Sequence, residues 1–314
     1  MKRAVIIGAT SGLGREIAMN LVREGWMVGV AGRRVELLED LQSVMQREQN
    51  IIPSALLADA RAERTYKQGD NIESLRVEIE RIDVTAEDAV EGVERLVKKL
   101  GGMDLFVNVA GVGFQNPTLD PVVEKRTFDV NGYGFMRMVD WAYNYFKATK
   151  QPLSPTDNLT LSSSSLQGIM QINLPSALAS FVGSPKTGEQ YEREGQIAIV
   201  SSIAGTKPLG TAVAYSATKR MQSHYLTGLA QLARMEGLKI RFTDIRPGFA
   251  ATDILNPNKH YPMMMSKEYA GRLATQAILK KKRVAVIDWK FAVLTFFWSL
   301  IPRCVWERLT FVKN

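Results

Sequence analysis

The chain is poor in the residues that build disulfides and metal sites. Its one cysteine, Cys304, excludes an intrachain disulfide. Its two histidines, His224 and His260, are far apart in sequence, and no cluster with metal-ligand spacing surrounds either, so no metal is expected. His224 reads as a packing or surface residue. No internal repeat is apparent. The most apolar run, Phe291 to Ile301, is too short to span a bilayer. Met1-Lys2-Arg3 leads straight into an apolar strand with no signal peptide, and a reducing, cytoplasmic setting is the expectation. What remains is 314 residues, 46% of them hydrophobic, which is ample for one α/β domain with a full core.

The amino terminus carries the first motif. Ala4 to Ile7 is a short apolar run suited to a buried parallel strand. Gly8-Ala9-Thr10-Ser11-Gly12-Leu13-Gly14 follows, and Arg15-Glu16-Ile17-Ala18 reads as helix. Strand, glycine turn and helix in this order are the context a dinucleotide fingerprint needs, the alternative being an ordinary glycine-rich turn. Gly8 permits the tight turn, Gly12 lets backbone approach a pyrophosphate, and Gly14 lets helix pack on strand. The helix N-terminus offers unpaired N–H groups and partial positive charge to phosphates.

The second motif is Tyr215-Ser216-Ala217-Thr218-Lys219, thirteen residues after Ser202. Positions i and i+4 share a helix face, so a phenol and an ammonium stand side by side. A nearby cation favours the phenolate and lowers the phenol pKa, which suits Tyr215 to exchange a proton with a ketone or alcohol near neutral pH.

Together these residues resemble the classical short-chain dehydrogenase/reductase family, and the resemblance recurs over residues 1–285. Asp83-Val84 looks like the family's adenine-contacting pair. Asn108-Val109-Ala110-Gly111 looks like its Asn-Asn-Ala-Gly turn, with Val109 in place of the second Asn. Asn131 sits where the family has its structural and catalytic asparagine, Ser202 carries the serine, and Pro247-Gly248 with Thr252 resembles the nicotinamide loop. Ile7 replaces the usual Thr before the first glycine. These departures remove local hydrogen bonds and leave every reacting group in place.

The resemblance implies a doubly wound parallel sheet of the Rossmann type and interconversion of a ketone or aldehyde with its alcohol. It gives Tyr215 the role of general acid and base. Lys219 would lower the Tyr215 pKa and hold the nicotinamide ribose, Ser202 would bond the substrate oxygen, and Asn131 would hold a water linking Lys219 to solvent. An epimerase on the same scaffold, or a cofactor-binding sensor without turnover, are the alternatives. The family also implies a homo-oligomer, dimer or tetramer, pairing through long helices that begin near Asn131 and Tyr215. Trp141, Ala142, Tyr143, Tyr145 and Phe146 on the first of these are compatible with that. The second strand ends at Gly32-Arg33-Arg34, where an NAD site would carry an acid for the ribose 2′-hydroxyl. Arg33 and Arg34, with Ser11, suit a 2′-phosphate, so the cofactor expected is NADP(H).

Two polar insertions, about 50–73 and 151–194, interrupt the pattern. Each lies between a helix and the next strand, away from the cofactor edge. The stretch from Thr252 to about Ser266 follows the Pro-Gly turn. The resemblance implies that this stretch covers the substrate, and its Tyr261, Met263, Met264 and Met265 suit either an apolar substrate or packing of the lid onto the body. The net charge of +8 is uneven: Lys280, Lys281, Lys282, Arg283, Lys290, Arg303, Arg308 and Lys313 are opposed only by Asp288 and Glu307. With Trp289, Trp298 and Trp306, the extension over 286–314 fits either an interfacial membrane segment or an element packed on protein. Little basic surplus remains elsewhere, which argues against nucleic acid.

Overall fold

A computed structural model describes residues 1–56, 76–150, 194–252 and 261–309. Seven parallel strands form one sheet: β1 (Arg3–Ile7), β2 (Met27–Gly32), β3 (Val77–Arg81), β4 (Leu105–Asn108), β5 (Gly195–Val200), β6 (Ile240–Pro247) and β7 (Val284–Ile287). Their order is β3-β2-β1-β4-β5-β6-β7. The chain winds outward from β1 to β3, then returns to pair β4 with the free side of β1. This is the doubly wound Rossmann-type fold expected from the sequence, and its switch point, where a ligand crevice opens, lies between β1 and β4.

The helices are α1 (Gly12–Arg23), α2 (Val35–Leu56), α3 (Ala89–Leu100), α4 (Pro121–Phe128), α5 (Phe135–Lys150), α6 (Val213–Met235), α7 (Lys267–Leu279), α8 (Trp289–Leu300) and α9 (Arg303–Trp306). Strand alternation sorts the core into two layers. Ala4 and Ile6 face a layer built with Leu13, Ile17 and Leu21 of α1, Leu38 and Leu41 of α2, and Ala274 and Ile278 of α7. Val5 and Ile7 face the other, with Val93 and Leu96 of α3, Phe135 and Phe146 of α5, and Leu226 of α6.

Several expectations need amendment. Helix α2 continues to Leu56, where a loop had been expected from about residue 50. The remainder of that insertion, and 151–193 of the second, lie outside the described residues. Glu194 leads into β5 and pairs with Arg241 and Lys281. The sheet runs to Ile287, past the boundary expected at 285. The aromatics of α5 are buried within the chain. Trp141 stacks on Tyr145 at 5.5 Å, and the Tyr145 hydroxyl accepts from the Met103 amide at 3.0 Å. They are not available to pair subunits.

Candidate active site

The glycine turn has the geometry its sequence demands. Gly8 has φ +91°, a left-handed conformation that side chains rarely adopt. A Cβ at Gly14 would run into the Gly8 carbonyl oxygen, so close packing of α1 on β1 requires glycine there. Ser11 occupies the N-cap of α1 with extended backbone, but its side chain makes no cap bond, and no acid stands in the first turn. The helix N-terminus is therefore open to a phosphate.

At the carboxyl edge of the sheet lies a cleft of about 400 Å³. The glycine turn, through Gly8, Ser11, Gly12 and Leu13, lines one side. Arg33, Arg34, Asp83 and Val84 line the end beyond β2 and β3, and Ala110 and Gly111 line the floor after β4. Ser202, Tyr215 and Lys219 line the far side with Pro247, Gly248 and Thr252. Three expected residues stand behind this lining. Gly14 packs against the turn. Asn108 is buried, and its side-chain carbonyl has no partner among the described groups. Asn131 lies beneath the floor.

Arg34 donates to Thr10 Oγ1 at 3.0 Å and to Ser11 Oγ at 2.8 Å. Arg33 lies near Asp83. Burial works to raise the Asp83 pKa, but hydrogen bonds from the Thr85 amide and hydroxyl, with the charges of Arg33 and Arg81, hold it below its ordinary value. Two guanidinium groups thus stand beyond β2, one over the glycine turn and one beside the acid.

Ser202 caps the short 3-10 turn Ile203–Gly205, its Oγ accepting from the Ala204 amide at 3.1 Å. It also hydrogen-bonds Tyr215, which sits in the first turn of α6. Lys219 is one turn later on the same face, its Nζ 5.9 Å from the Tyr215 ring centroid. The expected lowering of the Tyr215 pKa is not found. Burial pushes the phenol above its ordinary value, and only the Ser202 bond pulls the other way. The Lys219 ammonium donates to the Val200 carbonyl at 3.0 Å and to Gln222 Oε1 at 3.1 Å. Burial draws Lys219 itself down to about 8, with Asp244 opposing.

Asn131 falls in a π-helical stretch, Asp129–Gly134, between α4 and α5. Its side chain is held by Val112 in both directions: Asn131 Nδ2 donates to the Val112 carbonyl at 2.7 Å, and Oδ1 accepts the Val112 amide at 2.8 Å. Its main-chain carbonyl accepts from Gln222 Nε2 at 2.8 Å. The Gln222 side chain therefore bridges the Lys219 ammonium and the Asn131 main chain. Sequence reasoning missed Gln222. It also missed Thr10 as a partner of Arg34, and Asp244, which is buried behind Ser201 and paired with Arg246.

The lid is described only in part, since 253–260 lie outside the described residues. Tyr261 and Met265 are buried in the body, and Met263 and Met264 are exposed; none of the four lines the cleft. Among the described residues no group of His, Cys, Asp and Glu could hold a metal. His224 and Cys304 are exposed.

The family sequence model described as short chain dehydrogenase matches residues 2–68 and 153–261, more than half of the chain. The chain belongs to the short chain dehydrogenase family. As an oxidoreductase of that family it is similar to an uncharacterised oxidoreductase of Myxococcus xanthus, 26% identical over 98% of this chain and 95% of the relative. Solved structures share the fold. A short-chain dehydrogenase of Sphingobium yanoikuyae in complex with NADPH superposes with TM-score 0.63 at 14% identity, covering 96% of this chain and 97% of its own. The 3-ketoacyl-(acyl-carrier-protein) reductase of Brucella melitensis complexed with NADH gives 0.62 at 20% identity, covering 91% and 96%. Both nicotinamide cofactors occur on this fold, so the choice between them rests on this dehydrogenase's own side chains.

Proposed function

We propose that this chain is an NADP(H)-dependent reductase that interconverts a ketone or aldehyde and its alcohol, with Tyr215 as general acid and base. The observation that carries the reading is the convergence of Ser202, Tyr215 and Lys219 on the cleft that also holds the open N-terminus of α1 and the Arg33–Arg34 pair.

The residues present fit a phosphorylated dinucleotide. The Gly8 turn and the uncapped α1 N-terminus suit a pyrophosphate. Arg34, Ser11 and Thr10 form a donor group suited to a 2′-phosphate, and Arg33 adds a second cation. Asp83 and Val84 would flank the adenine. Ala110, Gly111, Pro247, Gly248 and Thr252 would shape the rest of the binding surface, with buried Asn108 supporting it from behind and Lys219 reaching the nicotinamide ribose. The nicotinamide supplies the two electrons when bound.

The chain's own residues handle the substrate and the proton. Ser202 Oγ–H donates to the substrate carbonyl oxygen and polarises it. Tyr215 O–H gives that oxygen its proton, and in the reverse direction takes it from the alcohol. A phenol raised by burial is a weaker acid and resists ionising, so giving up its proton depends on charge brought near it. Lys219 is the cation in reach. The Gln222 bridge holds it one helical turn from Tyr215.

The apolar walls of the cleft, Val112, Phe114 and Val200, favour an apolar substrate. A homo-oligomer remains part of the reading. With the α5 aromatics buried, the candidates for its contact surface are exposed Val122 and Phe128 of α4 and Leu232 and Met235 of α6. The test of the activity is NADPH consumption against a panel of ketones by wild type and Tyr215→Phe. Turnover of a ketone that the variant does not turn over supports the reading; equal consumption by both would overturn it.

A further inference from the structure

Helix α8 has two apolar faces, and only one is covered. Phe291, Leu294, Thr295 and Trp298, spaced i, i+3, i+4 and i+7, turn inward. Phe291 is fully buried against Gly248 and meets Phe249 edge-on at 6.1 Å. Trp298 meets Trp306 of α9 edge-on at 5.3 Å, and the Trp306 indole N–H donates to the Pro208 carbonyl at 2.9 Å. Lys207 ties down the far end by donating to the Ile301 carbonyl at 2.7 Å. The helix is thus fastened along the carboxyl edge of the sheet, from β7 to the loop after Ser202.

The opposite face is Trp289, Val293, Phe296, Phe297 and Leu300, spaced i, i+4, i+7, i+8 and i+11. All five are exposed: Trp289 is 70% accessible, Phe296 61% and Leu300 62%. A contiguous stripe of five large apolar side chains on a fastened helix marks a docking surface.

We infer that this stripe docks the protein onto a lipid surface, with α8 lying in the plane of the interface. Charge and composition favour lipid. No acid occurs from Trp289 to Trp306, while Lys290 and Arg303 stand near the two ends of the helix. The one acid at its start, Asp288, is engaged as the N-cap, accepting from the Lys290 amide at 2.9 Å. Trp289 at the end of the stripe suits the headgroup level, with Phe296, Phe297 and Leu300 below it. Five side chains on one short helix also fall well below the roughly 20 residues a side of a stable protein interface.

The basic run Lys280 to Arg283 does not take part. It precedes β7, at the amino edge of a parallel sheet, where Lys281 pairs with Glu194. Insertion of aromatics, more than attraction of charge, therefore holds the protein, and zwitterionic lipid suffices. Docking brings the substrate side of the fold to the membrane, because Phe249 packs on both Phe291 and Tyr261 beside the cleft residue Gly248. The docking does not depend on the reductase reading.

The test uses the full chain with phosphatidylcholine vesicles, and with vesicles in which about a quarter of the lipid is phosphatidylglycerol. Wild type should co-sediment with both, more strongly with the second. Phe296→Glu with Phe297→Glu should lower binding by roughly a hundredfold while leaving the circular dichroism spectrum and thermal unfolding unchanged, since both side chains are exposed. Brominated lipid should quench Trp289 fluorescence in wild type, and the quenching should disappear in Trp289→Phe. No co-sedimentation with either vesicle at low salt would overturn the proposal. So would light scattering that finds a dimer turned to monomer by the double substitution, which would make the stripe a contact between copies of this chain.

Discussion

Lys219 and Gln222 are joined by a buried hydrogen bond of 3.1 Å, and the other end of the Gln222 amide reaches the Asn131 carbonyl at 2.8 Å. One side chain thereby fixes the ammonium of the candidate site to the π-helical stretch before α5. An amide suits this place because it accepts from a cation and donates to a carbonyl at once.

Replacing Gln222 with Leu should leave the Asn131 carbonyl and one ammonium donor unpaired, at about 1–3 kcal/mol of stability. The protonated form of Lys219 loses an acceptor, so its pKa, already about 8, should fall further, and the alkaline limb of kcat/KM should move to lower pH. Gln222→Glu places a carboxylate beside the ammonium and should move the limb the other way. Identical pH profiles for all three proteins would rule out a positioning role for Gln222.

Tyr215→Phe should lower ketone reduction by roughly 10²–10⁴-fold and leave NADPH binding, read by fluorescence titration, nearly unchanged. The hydroxyl that bonds Ser202 is the only group lost, and the ring keeps its packing. Turnover above about a tenth of wild type would exclude Tyr215 as the acid.

Much of the fold and the nucleotide turn could be read from single residues, because Gly8 and Gly14 answer steric demands that no other residue meets. The Tyr215–Lys219 pairing followed from helix geometry alone. The direction of the Tyr215 pKa did not, since it depends on how deeply the fold buries the phenol. Gln222 gave no signal, being an ordinary polar residue within a helix. The apolar content of Trp141, Ala142, Tyr143, Tyr145 and Phe146 could not say whether these side chains met their own chain or another. Lys280 to Arg283 and α8 look contiguous along the chain. A parallel strand stands between them and holds them roughly 13 Å apart, at opposite edges of the sheet.

Light scattering at micromolar concentration should report a dimer or tetramer. The exposed Val122, Phe128, Leu232 and Met235 are the surface to probe, and Leu232→Asp with Met235→Asp should weaken association without unfolding the chain, because both side chains face outward. A monomer for wild type would contradict the family expectation. A dimer that survives charge on Phe296 and Phe297 is compatible with lipid docking through α8.

Arg34→Ala should raise the KM for NADPH about tenfold or more while changing that for NADH little, because a hydrogen bond to a charged group contributes about 1.5–3 kcal/mol. Arg34 is held over the glycine turn by Thr10 and Ser11, so it is placed before ligand arrives. Arg33→Asp should act in the same direction, with added repulsion from Asp83. Wild type that already prefers NADH would refute the reading of both arginines.

The Lys219 ammonium should make stability depend on pH in a direction opposite to a surface lysine pair. Burial lowers its folded pKa to about 8, against about 10.4 in an unfolded chain. Below pH 8 both states carry the proton, and the cost of burying the charge is fully present. Between about 8 and 10.4 the unfolded state binds more protons than the folded state, so unfolding free energy rises with pH. Lys219→Met lacks this term. Urea unfolding of the two proteins should therefore show the wild type gaining on the variant as pH increases across that window, by on the order of 1–3 kcal/mol. A constant difference across the window would mean that Lys219 titrates near its ordinary value, with Asp244 compensating the burial in full.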